Sequence, residues 1–285
     1  MTHDTTQIET ALRSLGRRIV NEYPSVRNSV LRGWHGYRHA YAHLVCFKDS
    51  LTYARHTDLS PFEVIAVDPE QIEYLVEQNG YPSQTYETAE FPDSKFRYAG
   101  TVHGGDWDRR EMRFEETDLY RAFEAHFDRG VAWADTTFFR RALDFIDDGV
   151  VLWGCTNRSE FEQRCDRIDD LYESIRTNGY RSRHQLPQSE SPGDETSDTS
   201  PSIPDTVCDE IAVCIGRDGD LLFFDGRNRL AIAKLLDVDT VPVWIMARHE
   251  QWQERREAYA ADNSDRRERS IYLRDHPDLS TTLPG

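Results

Sequence analysis

The stretch EIAVCIGRDGDLLFFDGRNRLAIAKLLDVDTVPVWIM, residues 210–246, leaves few folds open. Residues 210–215 form a β-rich apolar run. Arg217-Asp218-Gly219-Asp220 holds the Asp-Gly pair that tight hairpins favour. LLFF, 221–224, is then the returning strand. Asp225-Gly226-Arg227-Asn228-Arg229 turns the chain into a helix over 230–236 whose residues are apolar nearly all round, so it must be buried. After DVDT, residues 241–246 read as a further strand. Two strands in a hairpin, a buried helix and a third strand dictate an α/β fold with a small mixed sheet.

The turn after the second strand is also where chemistry can sit. Gly226 permits a backbone that a larger side chain would block. The helix that follows offers N–H groups and the positive end of its dipole. Arg227 and Arg229 flank that end, and together these make an anion site suited to phosphate. Asp225 repels phosphate unless it holds Mg²⁺ or accepts a proton. A second reading stands beside this one. Asp225 or Asn228 caps a core helix, and the arginines pair with surface acids.

The rest of the chain is mostly helical. Ile8, Leu12, Leu15 and Ile19 repeat at helical spacing until Pro24 interrupts, and a second stretch runs from about Tyr37 to Tyr53. FEVIAV, 62–67, reads as a short strand. EQIEYLVEQ, 70–78, reads as a short helix stopped by Asn79-Gly80. Residues 81–95 are turn-rich, and FRYAGTVHGGDWD, 96–108, reads as a strand and a tight turn. Residues 117–147 show helical spacing again, and VVLW, 150–153, is a short apolar run. Ser159 with Glu162 makes a capping box for a helix that ends at Gly179. Residues 187–205, rich in Pro, Ser, Asp, Glu and Thr, read as a loop or linker. A polar helix from His249 to about Tyr259 precedes a fraying tail.

Composition adds an environment. There are 51 Asp+Glu against 34 Lys+Arg, a net charge of −17, and the only lysines are Lys48, Lys95 and Lys234. An acid-rich, lysine-poor surface suits a salt-rich cytoplasm, where self-repulsion is screened. In such a protein the negative charge does not by itself exclude nucleic acid. The five cysteines are odd in number, widely spaced and without a CxxC pair, which suits reduced thiols in a cytosol. No run approaches the length of a membrane span and the N-terminus lacks the order of a signal peptide, so a cytoplasmic protein is expected. There is no GxSxG, Walker A loop or GxGxxG, which sets aside a serine hydrolase, a P-loop NTPase and a Rossmann dehydrogenase.

Two blocks together carry a resemblance. The first is Asp225-Gly226, Asn228-Arg229, the helix from Leu230 to Leu236 and Val241-Pro242-Val243. The second is LYESIRTNGY, 171–180, with Leu171, Ser174, Ile175 and Gly179, and VDPEQI, 67–72, is a lesser match. In these the chain resembles the ParB/sulfiredoxin-like superfamily over roughly 110 residues, in the pieces 62–108 and 166–248. The resemblance implies a small α/β core that binds a nucleotide such as ATP or CTP, in a family that includes nucleotide hydrolases, kinases and DNA-partition proteins. It implies that Gly226 and Arg229 touch phosphate, with Arg227 and Asn228 in the same turn, and that Asp225 sits near metal or substrate as the catalytic carboxylate. Position 228 is Asn where many members carry His, which removes a titratable group. No cysteine lies in the turn, so the sulfiredoxin reaction is not expected, and no helix-turn-helix follows the core.

The expected organisation is an N-terminal helical segment (1–60), a core in two pieces (61–110 and 166–250) with the 187–205 loop inside it, a helical insert (111–165) and a C-terminal helix and tail (251–285). Asp106 and Asp108 flank Trp107 on one side of an extended chain. They either hold Mg²⁺ beside the phosphates or are a solvated turn whose Trp anchors the core, the latter being favoured. His35, His39 and His43 share a helix face and read as aromatic packing rather than a metal site. Arg248, His249, Trp252, Arg255 and Arg256 read as a surface helix laced with Arg–Glu pairs, ahead of a role in framing a nucleotide or touching nucleic acid. The function expected is nucleotide binding, extending to Mg²⁺-dependent hydrolysis or small-molecule phosphorylation. The alternative is a non-catalytic DNA- or protein-binding module that retains the core.

Overall fold

The computed structural model describes residues 22–76, 98–182, 210–261 and 276–280, with isolated positions between 15 and 19. The expected turns at 81–95 and loop at 187–205, and most of the 7–20 helix, lie outside the described residues. Six strands form one mixed sheet: β1 (Val64–Val67), β2 (Tyr74–Leu75), β3 (Thr101–His103), β4 (Ile211–Ile215), β5 (Leu221–Asp225) and β6 (Val241–His249). The fold is α/β, as the strand–helix alternation requires. The spatial order is β1-β6-β4-β5-β2, with β3 joining β6 beyond the end of β1. β4 and β5 are the antiparallel hairpin, whereas β4 and β6 run parallel, joined through the buried helix.

The helices are α1 (Arg27–Tyr53), α2 (Asp118–Phe123), α3 (Thr137–Asp147), α4 (Arg158–Asn178), α5 (Arg227–Leu235), α6 (Glu250–Ala261) and a last short turn, α7 (Pro277–Ser280). Pro24 sits in a short 3₁₀ turn directly ahead of α1. The strands show the period-two alternation of a sheet buried on both sides. Ile211, Val213 and Ile215 face a core built with Leu119, Phe123, Phe138, Phe161 and the apolar residues of α5, among others. Ala212 and Cys214 face the other way, onto Trp244, Met246, Trp107 and Ala42 of α1. Residues of the expected insert, among them Phe114, Leu119, Phe138 and Phe161, therefore belong to the same core as the sheet, and α4 runs unbroken through the expected border at 165.

Three local expectations are corrected, and the short apolar run VVLW takes a defined form. Residues 70–76 of the expected 70–78 helix are not helical: a 3₁₀ turn at Pro69–Gln71, capped by the Asp68 carboxylate, leads into β2. β5 offers β2 a parallel partner, and pairing with it overrides the local preference of EQIEYL. VVLW is a turn with a bridge between Leu152 and Cys155, and it leaves Val150 and Val151 exposed. The N-cap of α4 is Asn157, which accepts from the Glu160 backbone N–H, and the Glu160 carboxylate reaches back to Thr156, so the capping box lies two residues ahead of the expected one. Finally the tail returns to the body at α7.

Lys234 of α5 is buried, its side chain fully so. Its ammonium meets Glu70 at 3.4 Å and Glu115 at 3.2 Å, carboxylates that themselves reach solvent. The stem packs in the core while the charge is met at the surface.

Candidate functional site: the turn between β5 and α5

β5 ends at Asp225 and α5 begins at Arg227, so one residue must reverse the chain. Gly226 does this in the left-handed region, at φ 89°. It also lies against the strand beside it: a Cβ at this position would stand 2.8 Å from Ile211 Cα. Gly226 is the N-cap, and no side chain caps the helix. Capping by Asp225 or Asn228 is thereby corrected. The first hydrogen bond of α5 runs from the Leu230 N–H to the Gly226 carbonyl, so the N–H groups of residues 227–229 precede the intrahelical ladder. Asn228 holds its Oδ1 buried with no hydrogen-bond partner. A buried amide oxygen without a donor carries an unrecovered desolvation cost.

Arg229 is placed beside this turn, but its charge is met from within the chain. Its Nη1 donates to Glu210 Oε2 at 3.0 Å, and its guanidinium lies 5.3 Å from the centre of the Tyr180 ring. Glu210 is fully buried at its side chain, and its second oxygen accepts from Ser182 Oγ at 2.6 Å. The arginine is therefore neither a surface partner nor a bare phosphate ligand. It forms a buried pair with an acid next to the helix N-terminus. Asp225 is half-buried and Arg227 buried at the same turn. Glu210, Ser182 and Tyr180 escaped the sequence reading. The available signal was a single carboxylate placed directly ahead of five apolar strand residues.

Asp106 and Asp108 are not at this turn. Both bind Arg217, at the opposite end of the β4–β5 hairpin, separated from Gly226 by the length of β5, about 16 Å at ~3.3 Å per residue. Asp108 accepts from the Arg217 backbone N–H at 2.8 Å and from its guanidinium at 2.7 and 2.8 Å. Asp106 accepts from Arg217 at 2.9 Å and Arg109 at 3.1 Å. Burial pushes the Asp108 carboxyl up, but the hydrogen bonds from Arg217 outweigh it and hold the group below its ordinary range. The Asp106 carboxyl is held low by hydrogen bonds from Arg217 and Arg109. A cation already occupies the space between the two carboxylates, which does not fit a place beside the phosphates. Trp107 between them is buried in the core.

The expected surface helix is also corrected. Arg248, His249, Trp252 and Arg256 are buried, and Arg255 alone of the five is exposed, paired with Asp218. Arg248 and Arg256 surround Asp278 of α7, which also accepts from Trp252 Nε1 at 2.8 Å. This is a structural ion cluster, not a nucleic-acid surface. His39 and His43 lie against Phe62, with ring centres 5.4 and 5.5 Å away. Among the described residues, no three His, Cys, Asp or Glu side chains converge as metal ligands. Burial raises the thiols of Cys46 and Cys165, to about 11 and about 12, which keeps them protonated.

No family model, curated protein or solved structure matches the chain. No helix among the described residues is long and apolar enough to cross a membrane.

Proposed function

We propose that the chain is a cytoplasmic nucleotide-binding protein of the ParB/sulfiredoxin-like type, which takes the phosphates of a nucleotide such as ATP or CTP at the β5–α5 turn. The observation that carries this reading is the N-terminus of α5 at a left-handed glycine, with no side-chain cap and the N–H groups of residues 227–229 ahead of the intrahelical ladder. Backbone N–H groups of Arg227, Asn228 and Arg229 would donate to phosphate oxygens, reinforced by the helix dipole. A phosphate would compete with Glu210 for Arg229, so binding would loosen one ion pair while forming another. Asp225 would supply one carboxylate to Mg²⁺, an ion that completes its shell with phosphate and water. The ion would neutralise phosphate charge during hydrolysis or phosphoryl transfer.

The buried Arg229–Glu210 pair favours a second reading, a DNA- or protein-binding module that has kept the core without its chemistry. Thermal melting in molar KCl with ATP, CTP, GTP and their diphosphates, with and without Mg²⁺, separates the two. A ligand at 100 times its Kd stabilises by about 2.7 kcal/mol. That corresponds to a rise of about 5–10 °C for a chain of this size. The rise should vanish in Asn228→Asp, which adds a negative charge to the turn that would hold phosphate yet keeps the shape and suits the helix dipole. Asp225→Asn should keep the binding and lose Mg²⁺-dependent turnover. A folded protein that shifts with none of these nucleotides overturns the proposal. Affinity for DNA that falls steeply with salt would then support the second reading.

A further inference from the structure

The segment 276–280 is held on the body by its first side chain as well as by Asp278. His276 is half-buried, with its ring centre 4.3 Å from that of Trp252. Its Nε2 lies 2.7 Å from the Gly219 carbonyl oxygen in the β4–β5 turn, and its Nδ1 lies 3.2 Å from the Asp278 backbone nitrogen. A carbonyl only accepts and an amide N–H only donates, so the two contacts fix one form of the ring. Nε2 carries the hydrogen and donates to Gly219. Nδ1 is bare and accepts from the Asp278 N–H. The ring is neutral, and it caps α7. The first residue of α7, Pro277, has no N–H, so Asp278 offers the first donor of the turn.

A proton on Nδ1 turns this acceptor into a donor. Two N–H groups then face each other, the cap is lost and a positive charge stands at the start of a helix. The charged groups around the ring are already engaged. Asp278 is held by Arg248, Arg256 and the Trp252 indole. Glu63, the second acid of that cluster, faces the same two arginines. Asp220 of the hairpin is paired with Arg110. Burial holds the pKa of the ring below its ordinary value. The Gly219 carbonyl, Asp278 and Asp220 pull against this, and Arg248 adds to it. The same two contacts occur at His249, which meets the Gly105 carbonyl and the Gln251 N–H ahead of α6. α6 runs on for 12 residues, whereas α7 has 4, so the cap is a larger part of the hold on α7.

We propose that His276 is a proton-operated clasp, which holds the segment 276–280 on the body while its ring is neutral and lets it go when Nδ1 takes a proton. Opening withdraws Leu279 from the core and Asp278 from Arg248 and Arg256, and so uncovers an apolar seat beside two guanidinium groups. The direction in pH follows from the ring. A histidine whose pKa is lower folded than unfolded contributes stability that is complete well above the unfolded value of about 6.5 and drains away as pH falls towards the folded value. Opening should become about tenfold more frequent for each pH unit in that interval. The Asp278 carboxyl, held below the ordinary carboxylate range, stays charged throughout it.

Amide hydrogen exchange of the full chain in molar KCl, read from pH 7 to pH 5 and corrected for the intrinsic rate, tests this. Protection of the Asp278 and Leu279 amides should fall about tenfold per pH unit below about 6.5, while β4 and α5 remain protected. His276→Asn keeps a capping acceptor and cannot take the proton, so its segment should be protected alike at pH 7 and pH 5. Nitrogen NMR of the imidazole gives an independent reading. At pH 7 the hydrogen should sit on Nε2, and the ring should titrate over the interval in which protection falls. If the variant leaves the segment open at every pH, this joint titration in the wild type decides. Protection that stays constant across the titration of the ring overturns the proposal. So does a loss in His276→Asn equal to that of the wild type, or a ring that carries its hydrogen on Nδ1.

Discussion

Asp278→Asn is expected to lower the melting temperature by about 6–20 °C. Asp278 is fully buried, with Arg248 Nη2 at 2.5 Å and Arg256 Nε at 3.4 Å. Glu63 is the other carboxylate at the cluster, 2.7 Å from Arg248. Two guanidinium groups are balanced by two carboxylates. Neutralising one leaves a positive charge in the interior, and breaking a buried pair in this way costs about 3–5 kcal/mol. At about 2–4 °C per kcal/mol, the stated range follows. The amide keeps the shape, so the loss is electrostatic. Calorimetry of the two proteins side by side measures it, and equal melting temperatures would refute it.

Acid should reproduce the effect. Burial pushes the Asp278 carboxyl up, but Arg248 and Arg256 outweigh burial and hold its pKa below the ordinary carboxylate value. A carboxylate with a depressed folded pKa contributes its full stability above the unfolded value of about 3.9 and loses it as pH falls through the folded value. The arginines stay charged throughout. The wild-type chain should thus lose stability below about pH 4, and the difference between wild type and Asp278→Asn should shrink there.

Gly226→Ala should destabilise by about 2–5 kcal/mol. A Cβ in the left-handed region costs about 1–2 kcal/mol. Here it also meets Ile211 Cα at 2.8 Å and the Glu210 carbonyl oxygen at 3.4 Å, which are backbone atoms that cannot rotate aside. Overpacking of this kind adds about 1–3 kcal/mol. The contact presses on the residues that hold Arg229, so chemical denaturation should show a lower midpoint with an unchanged slope. A midpoint within error of wild type would mean that the turn is less tightly packed than its geometry states.

The hairpin, the Gly226 turn, the buried helix and the last strand were legible in the sequence because each has its own local cause. Asp-Gly makes the turn between β4 and β5, alternation marks strands and all-round apolarity marks a core helix. What escaped was set by residues far apart in the chain. β2 became a strand because β5 lies beside it, and a helix was the better local choice for its sequence. Arg248, Trp252 and Arg256 resemble a charged surface until Asp278, more than 20 positions on, is brought against them. At the candidate site Gly226 stood out by its type. Glu210 gave only its place directly ahead of a strand as a signal, which is ordinary until the arginine it meets is known. Asp106 and Asp108 lie in a bend and turn after β3 and not on an extended chain, and their partner, Arg217, sits on a hairpin more than 100 positions away.

The scarcity of lysine gives the burial of Lys234 a practical meaning. Its ammonium is enclosed with Glu70 and Glu115, and Lys48 on α1 is exposed. Reagents that acylate amines therefore meet Lys48 on the native surface, while Lys234 becomes available only when α5 leaves the sheet. Comparing modification at these two positions turns an otherwise silent side chain into a clock for opening of the core.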